Sequence, residues 1–107
     1  MIEDKAAFKG RVYKVVSQIP VGCVASYGQV AVMADEPAAA WEVGQIAHLG
    51  PSELPWHRVV RKDGGMASGF PGGPENQQRL LELENIQFNK SDEVLMDKFQ
   101  WQPENHL

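Results

Sequence analysis

Across residues 6–19 the apolar side chains Phe8, Val12, Val15, Val16 and Ile19 recur at i, i+4, i+7, i+8 and i+11, which is one stripe of an α-helix. Lys5, Lys9, Arg11 and Lys14 fall mostly off that stripe, as a solvated face or as phosphate contacts. Pro20-Val21-Gly22 closes this first helix, because proline disfavours helical geometry in the residue before it and glycine permits a turn. Ser26-Tyr27-Gly28-Gln29 then sets a hydroxyl three residues ahead of an amide, the arrangement of a capping box. It predicts a short second helix through Val30, Ala31 and Met33 to Ala34, broken by Asp35-Glu36-Pro37. Residues 38–49 read as a third helix, whose alanines and Gly44 leave one slim face that another backbone can approach. Two short helices joined by a tight turn predict a helix-turn-helix, a spacing that other small helical domains share.

Beyond Gly50-Pro51 the pattern changes. Val59 and Val60 predict a short strand, Asp63-Gly64-Gly65 is a strong turn signal, and Met66 is expected to pair back, making a β-hairpin that serves as a small wing. Ser68-Gly69-Phe70-Pro71-Gly72-Gly73-Pro74 is either a plain linker or a loop that closes over a pocket. Pro74 opens a fourth helix carrying Glu75, Leu80, Leu81 and Leu83 and ending near Asn85, with residues 86–88 as a further strand. Internal repeats and low-complexity segments are absent. The expected fold class is α/β, a small winged helix-turn-helix-like domain that is mainly helical with a short β-hairpin.

A chain of 107 residues is expected to form a single domain, here residues 1–107. With 43% apolar and 22% charged residues the composition is that of an ordinary globular protein. No apolar run approaches the roughly 18 residues of a membrane span, and Met1-Ile2-Glu3-Asp4-Lys5 lacks a basic-then-apolar leader pattern, so no membrane partner and a cytoplasmic location are expected. The one cysteine, Cys23, makes no internal disulfide, which fits a reducing compartment. A net charge of -4 runs against nucleic-acid binding, which usually depends on cations that displace counterions from phosphates. Between Lys14 and Arg58 there is no Lys or Arg, so the third helix carries only Glu42 and His48 as titratable groups. Phosphate contacts would then come from backbone N–H groups at the starts of the second and third helices, with Arg58, Arg61, Lys62 and Arg79. Arg61 and Lys62, on the turn, are the better cations for this, since Arg58 is also suited to pairing with a buried carboxylate.

The stretch Leu54-Pro55-Trp56-His57-Arg58-Val59-Val60 places an indole, an imidazole and a guanidinium between a proline and two β-branched residues. Pro55-Trp56-His57-Arg58-Val59 resembles the Pro-Cys-His-Arg-Val active-site motif of the O6-alkylguanine-DNA alkyltransferases, with Trp56 at the place of the nucleophile. Val24-Ala25-Ser26-Tyr27-Gly28-Gln29-Val30-Ala31 is similar to the segment ahead of that family's DNA-binding helix, and residues 95–103 resemble the C-terminal segment of the alkyltransferase-like proteins. The chain therefore resembles the alkyltransferase-like proteins, over residues 8–103, and no counterpart of the separate N-terminal domain of many full alkyltransferases is expected. An indole offers one N–H donor and a π-face, so Trp56 can bind a base or fill a pocket but cannot accept an alkyl group as a thiolate does. Cys23 is read as an inert, partly buried thiol, and His57 as a structural hydrogen-bonding group with no thiol to serve. His48, His57, His106 and Cys23 show no ligand spacing, so neither a metal nor a cofactor is expected.

The resemblance implies a non-enzymatic protein that binds double-stranded DNA containing O6-alkylguanine through the minor groove. It implies base flipping of the lesion and flagging for nucleotide excision repair proteins, by a monomer. An alkylated guanine pairs poorly and costs less to unstack, and an aromatic pocket accepts the extruded base. The pocket would be lined by Tyr27, Trp56, His57, Phe70 and Pro71, and the DNA met by Ser26, Tyr27, Ala40, Trp41, Gly44, Arg61 and Lys62. Glu84 falls where the family keeps the carboxylate that orients the histidine, with a solvated helix glutamate as the alternative; Arg58 and Glu84 would give structural support. In the family a tyrosine at the position of Tyr27 helps turn the nucleotide out, and an arginine of the recognition helix takes its place in the stack. That place falls here at Trp41, either an uncharged wedge or a core tryptophan. The rival reading is a chain that has lost DNA binding and acts as a protein-interaction module through Trp41 and an acidic helix.

Overall fold

The Asp4 carboxylate starts the first helix by accepting the Ala7 N–H at 3.0 Å, and a computed structural model describes the chain over residues 4–103. Helix α1, Lys5–Ser17, buries Phe8, Val12, Val15 and Val16 as its stripe predicts, while Ile19 is buried just past its end. After strand β1, Ala25–Ser26, helix α2 spans Tyr27–Met33, and its N-cap Ser26 accepts the Gln29 N–H on Oγ at 3.0 Å. Only this half of the capping box forms. The Gln29 side chain turns away, donating from Nε2 to Trp101 O at 2.7 Å and accepting on Oε1 from Gln100 at 2.9 Å. This ties the C-terminal segment to the start of α2.

Asp35, with φ of 66°, ends α2 in the left-handed region. Helix α3, Ala40–Leu49, packs on α2, so the helix-turn-helix pair is present. It begins later than residue 38 because Ala39 N donates to Glu36 O at 2.9 Å, closing a turn over Pro37 and Ala38.

The expected β-hairpin is corrected by the pairing that is observed. Trp56–Arg58 forms a 3₁₀ turn leading into strand β2, Val59–Val60, which pairs in parallel with β1 in the register Ala25 to Val59 and Ser26 to Val60. The Asp63-Gly64-Gly65 turn does form. Gly64 N donates to Arg61 O at 2.8 Å, Arg61 N to Gly65 O at 3.0 Å, and Gly65 N to the Asp63 carboxylate at 2.8 Å. These bonds satisfy the turn locally, and Met66 goes into the core instead of extending a ladder. Both valines of β2 are fully buried and find their backbone partners on β1, distant in sequence. Residues 86–88 likewise contribute only one antiparallel bridge, from Phe88 to Val94.

Helix α4, Pro74–Leu83, begins with its proline, and Asn85 with φ of 66° lies past its end. Helix α5, Met96–Phe99, leads to a parallel bridge from Gln100 to Val24. Two apolar clusters result: one unites α1, α2 and α3 with Trp56 and Trp101, and the other gathers Val24, Val60, Met66, Leu81, Ile86 and Val94.

Gln77 of α4 fastens the Trp56–Arg58 turn to the rest of the fold. Fully buried, it accepts from Ala67 N at 2.8 Å and donates to Val59 O at 2.9 Å and His57 O at 3.1 Å. Gln77→Leu is expected to lower stability in urea unfolding by about 2 kcal/mol, since it strands three backbone groups, one of them in a buried bond. A loss below about 0.5 kcal/mol would mean that these bonds count for little. Among the described residues no helix is long and apolar enough to cross a membrane.

Candidate nucleic-acid interface

Helices α2 and α3, the 3₁₀ turn and the 67–71 loop enclose an open cleft of about 1460 Å³. Ser26, Tyr27, Ala40, Trp41, Gly44, Trp56, His57, Arg61, Lys62, Phe70 and Pro71, singled out above as pocket or DNA contacts, all line it. Arg58 and Glu84 stand behind it, and Arg79, bonded to Asn76 Oδ1 at 2.8 Å, does not line it either.

Trp56 is held from every side. Only 9% exposed, it donates from Nε1 to Pro51 O at 2.8 Å and meets Tyr13 edge-on, with centroids 6.1 Å apart and planes at 77°. Gly50 lies against the ring so closely that a Cβ there would sit 2.4 Å from Cζ2. The indole is thus a fixed wall that offers the cleft a limited edge.

Next to it, Glu84 collects three donors. His57 Nε2 lies 2.7 Å from Oε2, Arg58 reaches both oxygens through Nε and Nη2 at 2.9–3.2 Å, and Gly22 N donates to Oε1 at 3.2 Å. Arg58 also donates to Ile19 O at 2.9 Å, which joins the central stretch to the end of α1. Burial alone would raise the Glu84 pKa, but the hydrogen bonds from Arg58, His57 and Gly22, with the Arg58 charge, lower it to about 2. An ionised carboxylate only accepts, so the shared hydrogen is on His57 Nε2. Glu84 is therefore not a solvated helix glutamate. Its contacts commit both His57 and Arg58 to holding the turn in place.

On α3, the cleft is lined by Trp41, Gly44, Gln45 and His48, which repeat at i, i+3, i+4 and i+7, while Val43 points into the core. Trp41 is 70% exposed, so the core-tryptophan alternative is excluded. Burial pushes the Tyr27 phenol above its usual pKa, leaving a neutral hydroxyl at the foot of α2 at neutral pH. Arg61 is engaged on its own turn, with Nε and Nη2 at 3.3 and 3.0 Å from the Asp63 carboxylate, which its hydrogen bond holds below the usual range. Much of its charge is thereby offset. Lys62 has no ion pair among the described residues.

The sequence reading missed several lining residues. Val32 of α2 is 56% exposed on the cleft, and His48 faces Gly69 across it, where a Cβ would come 3.1 Å from Nδ1. Asn76 donates to Pro71 O at 3.0 Å and steadies the Phe70–Pro71 wall. Helical spacing from Trp41 would have found His48; no local signal marks Asn76. Cys23 is half-buried against the first cluster and does not line the cleft. Among the described residues no three His, Cys, Asp or Glu groups gather to hold a metal ion, and His106 lies outside them.

A helix-turn-helix pair beside an aromatic cleft defines a DNA-binding class of domain. Residues 7–86 match the family described as 6-O-methylguanine DNA methyltransferase, DNA binding domain, and the chain belongs to it. It is 35% identical over 102 residues to the DNA base-flipping protein of Escherichia coli (strain K12), a match covering 94% of this chain and 78% of that one. The Alkyltransferase-like protein 1 of Schizosaccharomyces pombe is 31% identical over 103 residues, with 90% and 95% covered. A crystal structure of S. pombe Atl1 in complex with damaged DNA containing O6-carboxymethylguanine superposes with a TM-score of 0.81 at 31% identity, covering 94% of this chain and 99% of that one.

Proposed function

We propose that this protein is a non-enzymatic reader of O6-alkylguanine in double-stranded DNA. It binds through the minor groove, takes the lesion base into the cleft beside Trp56, and leaves a complex that marks the site for nucleotide excision repair. The observation that carries this reading is the convergence on one cleft of α2, α3, the Trp56 turn and the Phe70–Pro71 wall. Alkylation at O6 disturbs the pairing edge of guanine, so extruding it costs less than extruding an intact base. Apolar and aromatic walls can then stack on the ring and accept the added alkyl group.

Alkyl transfer has no thiol to accept the group in this cleft. The resemblance puts Trp56 where the transferases keep cysteine, Cys23 lies elsewhere, and His57 is committed to Glu84. Binding without transfer leaves the lesion in the DNA, which is why a downstream repair system belongs to the proposal. The protein works in this reading as a cytoplasmic monomer.

The electrostatics set the expected character of binding. Lys62, the partly offset Arg61 and helix N-termini are few phosphate contacts, so affinity should fall with salt by a log–log slope of only about -2 to -3. In a low-salt titration against matched duplexes, the O6-methylguanine duplex is expected to bind at least about tenfold more tightly than the guanine duplex, a difference of about 1.4 kcal/mol. Equal affinity would reject lesion reading. The lack of any Lys or Arg on α3 favours the rival protein-interaction module, whose signature is no binding to either duplex.

A further inference from the structure

We propose that His48 is a proton-dependent phosphate contact, taking up a proton when DNA enters the cleft and then serving as the cation that α3 otherwise lacks. This rests on the DNA-reading function proposed above. The charges of the chain are unevenly placed. It carries 14 Asp and Glu residues and a net charge of -4, yet among the described residues no carboxylate lines the cleft. The lining side chains able to carry positive charge are His48, His57, Arg61 and Lys62. His57 is bonded to Glu84 and Arg61 is paired with Asp63. Among the described residues neither Lys62 nor His48 makes a side-chain hydrogen bond or an ion pair. A single permanent cation, Lys62, and a single free imidazole therefore remain to meet phosphates.

The placement of His48 suits that task. It is exposed on the cleft stripe of α3, two turns beyond Trp41, and its ring lies beside Gly69 of the facing loop, where a Cβ would come 3.1 Å from Nδ1. Between the two, Gly44 has nothing within 4 Å of a Cβ position, which leaves room for a sugar-phosphate backbone to follow the helix. A strand running that way reaches the carbonyl end of α3, where the helix dipole repels phosphate unless a cation stands there. Nothing titratable in the 67–71 loop opposes a charge on His48, Tyr27 of α2 is a neutral phenol, and Glu42 and Glu53 lie off the cleft. An imidazole changes charge between about pH 5 and 8, and a phosphate beside it favours the charged form. Binding is therefore coupled to proton uptake: it is stronger at low pH and weakens as pH rises.

Each phosphate neutralised by a cation adds about 0.9 to the log–log salt slope, so the charge on His48 can be counted. The test is anisotropy of a labelled O6-methylguanine duplex at 50 and 200 mM salt, at pH 5.5 and pH 8, with wild type, His48→Gln and His48→Lys. The wild-type slope is expected to be steeper by about 0.9 at pH 5.5, so that the same rise in salt costs about 3.5-fold more affinity there than at pH 8. His48→Gln should show one shallow slope at both pH values, and His48→Lys one steep slope at both. Calorimetry at pH 7 in two buffers of different ionisation enthalpy should report proton uptake on binding by the wild type and its loss in His48→Gln. A wild-type slope that does not change with pH, or a change that survives in His48→Gln and so belongs to His57, would overturn the role of His48 while lesion binding stands. Absence of binding to the lesion duplex at either pH would overturn the DNA-reading function and this contact together.

Discussion

Glu84→Gln is expected to lower the unfolding free energy at neutral pH by about 3 kcal/mol, because it removes the charge that holds Arg58 and His57 in a largely buried setting. The Arg58, His57 and Glu84 side chains are each less than one fifth exposed, so an unpaired Arg58 is not rescued by water. The same figure follows from linkage. The folded pKa of about 2 lies below the ordinary 4.5, so folding favours the ionised form. A difference of that size amounts to about 3 kcal/mol, fully present above the unfolded pKa and lost as pH falls through the folded one. Urea unfolding of the wild type should therefore weaken between pH 4.5 and about 2, and Glu84→Gln should be less stable at neutral pH and lack this part of the acid dependence. A variant as stable as the wild type at pH 7, with the same acid profile, would mean that the cluster does not hold the turn.

Trp56→Ala is expected to cost more still, about 3–5 kcal/mol, the usual penalty for truncating a buried aromatic side chain. The cavity would open between Tyr13 and Gly50, and Pro51 O would lose its donor. For a domain of this length that corresponds to a fall in Tm of roughly 20 °C, readable by circular dichroism. It is also a large part of the roughly 5–15 kcal/mol by which such domains are stable. Loss of DNA binding in Trp56→Ala would then report unfolding as much as the pocket, whereas Trp56→Phe keeps a ring in place. A fall in Tm of only a few degrees would show that the indole is not the wall described here.

Legibility in the sequence followed the range of the interactions. The α1 stripe, the Ser26 cap and Pro74 at the start of α4 are local devices, each read from residues within a few positions of one another. The wing failed because strand pairing is not local. Val59 and Val60 look the same to a reader of the sequence whether they pair with Met66 nearby or, as they do, with Ala25 and Ser26. Half of the capping box failed for the same reason, since Gln29 found the distant Trp101 carbonyl. Arg61, a phosphate-contact candidate on the turn, pairs with Asp63 two residues on, a partner that was in plain view in the sequence. The Glu84 contact with His57 was accessible only through resemblance, because 27 residues separate the two. Trp41 could not be assigned to core or surface from its spacing, since a slim helix of alanines and glycine gives no clear apolar face. Its exposure depends on how α3 lies on α2, a packing outcome.

The most direct measurement of the central claim, that this cleft takes up damaged DNA, is the response of the three indole N–H resonances to an O6-methylguanine duplex. Trp41 and Trp56 line the cleft, whereas Trp101 is buried and does not line it. In ¹⁵N-labelled protein the Trp41 signal is expected to move most, the Trp56 signal to follow, and the Trp101 signal to stay nearly in place, with smaller changes for an undamaged duplex. Saturable shifts that spare both cleft indoles would place DNA on another surface and contradict the account.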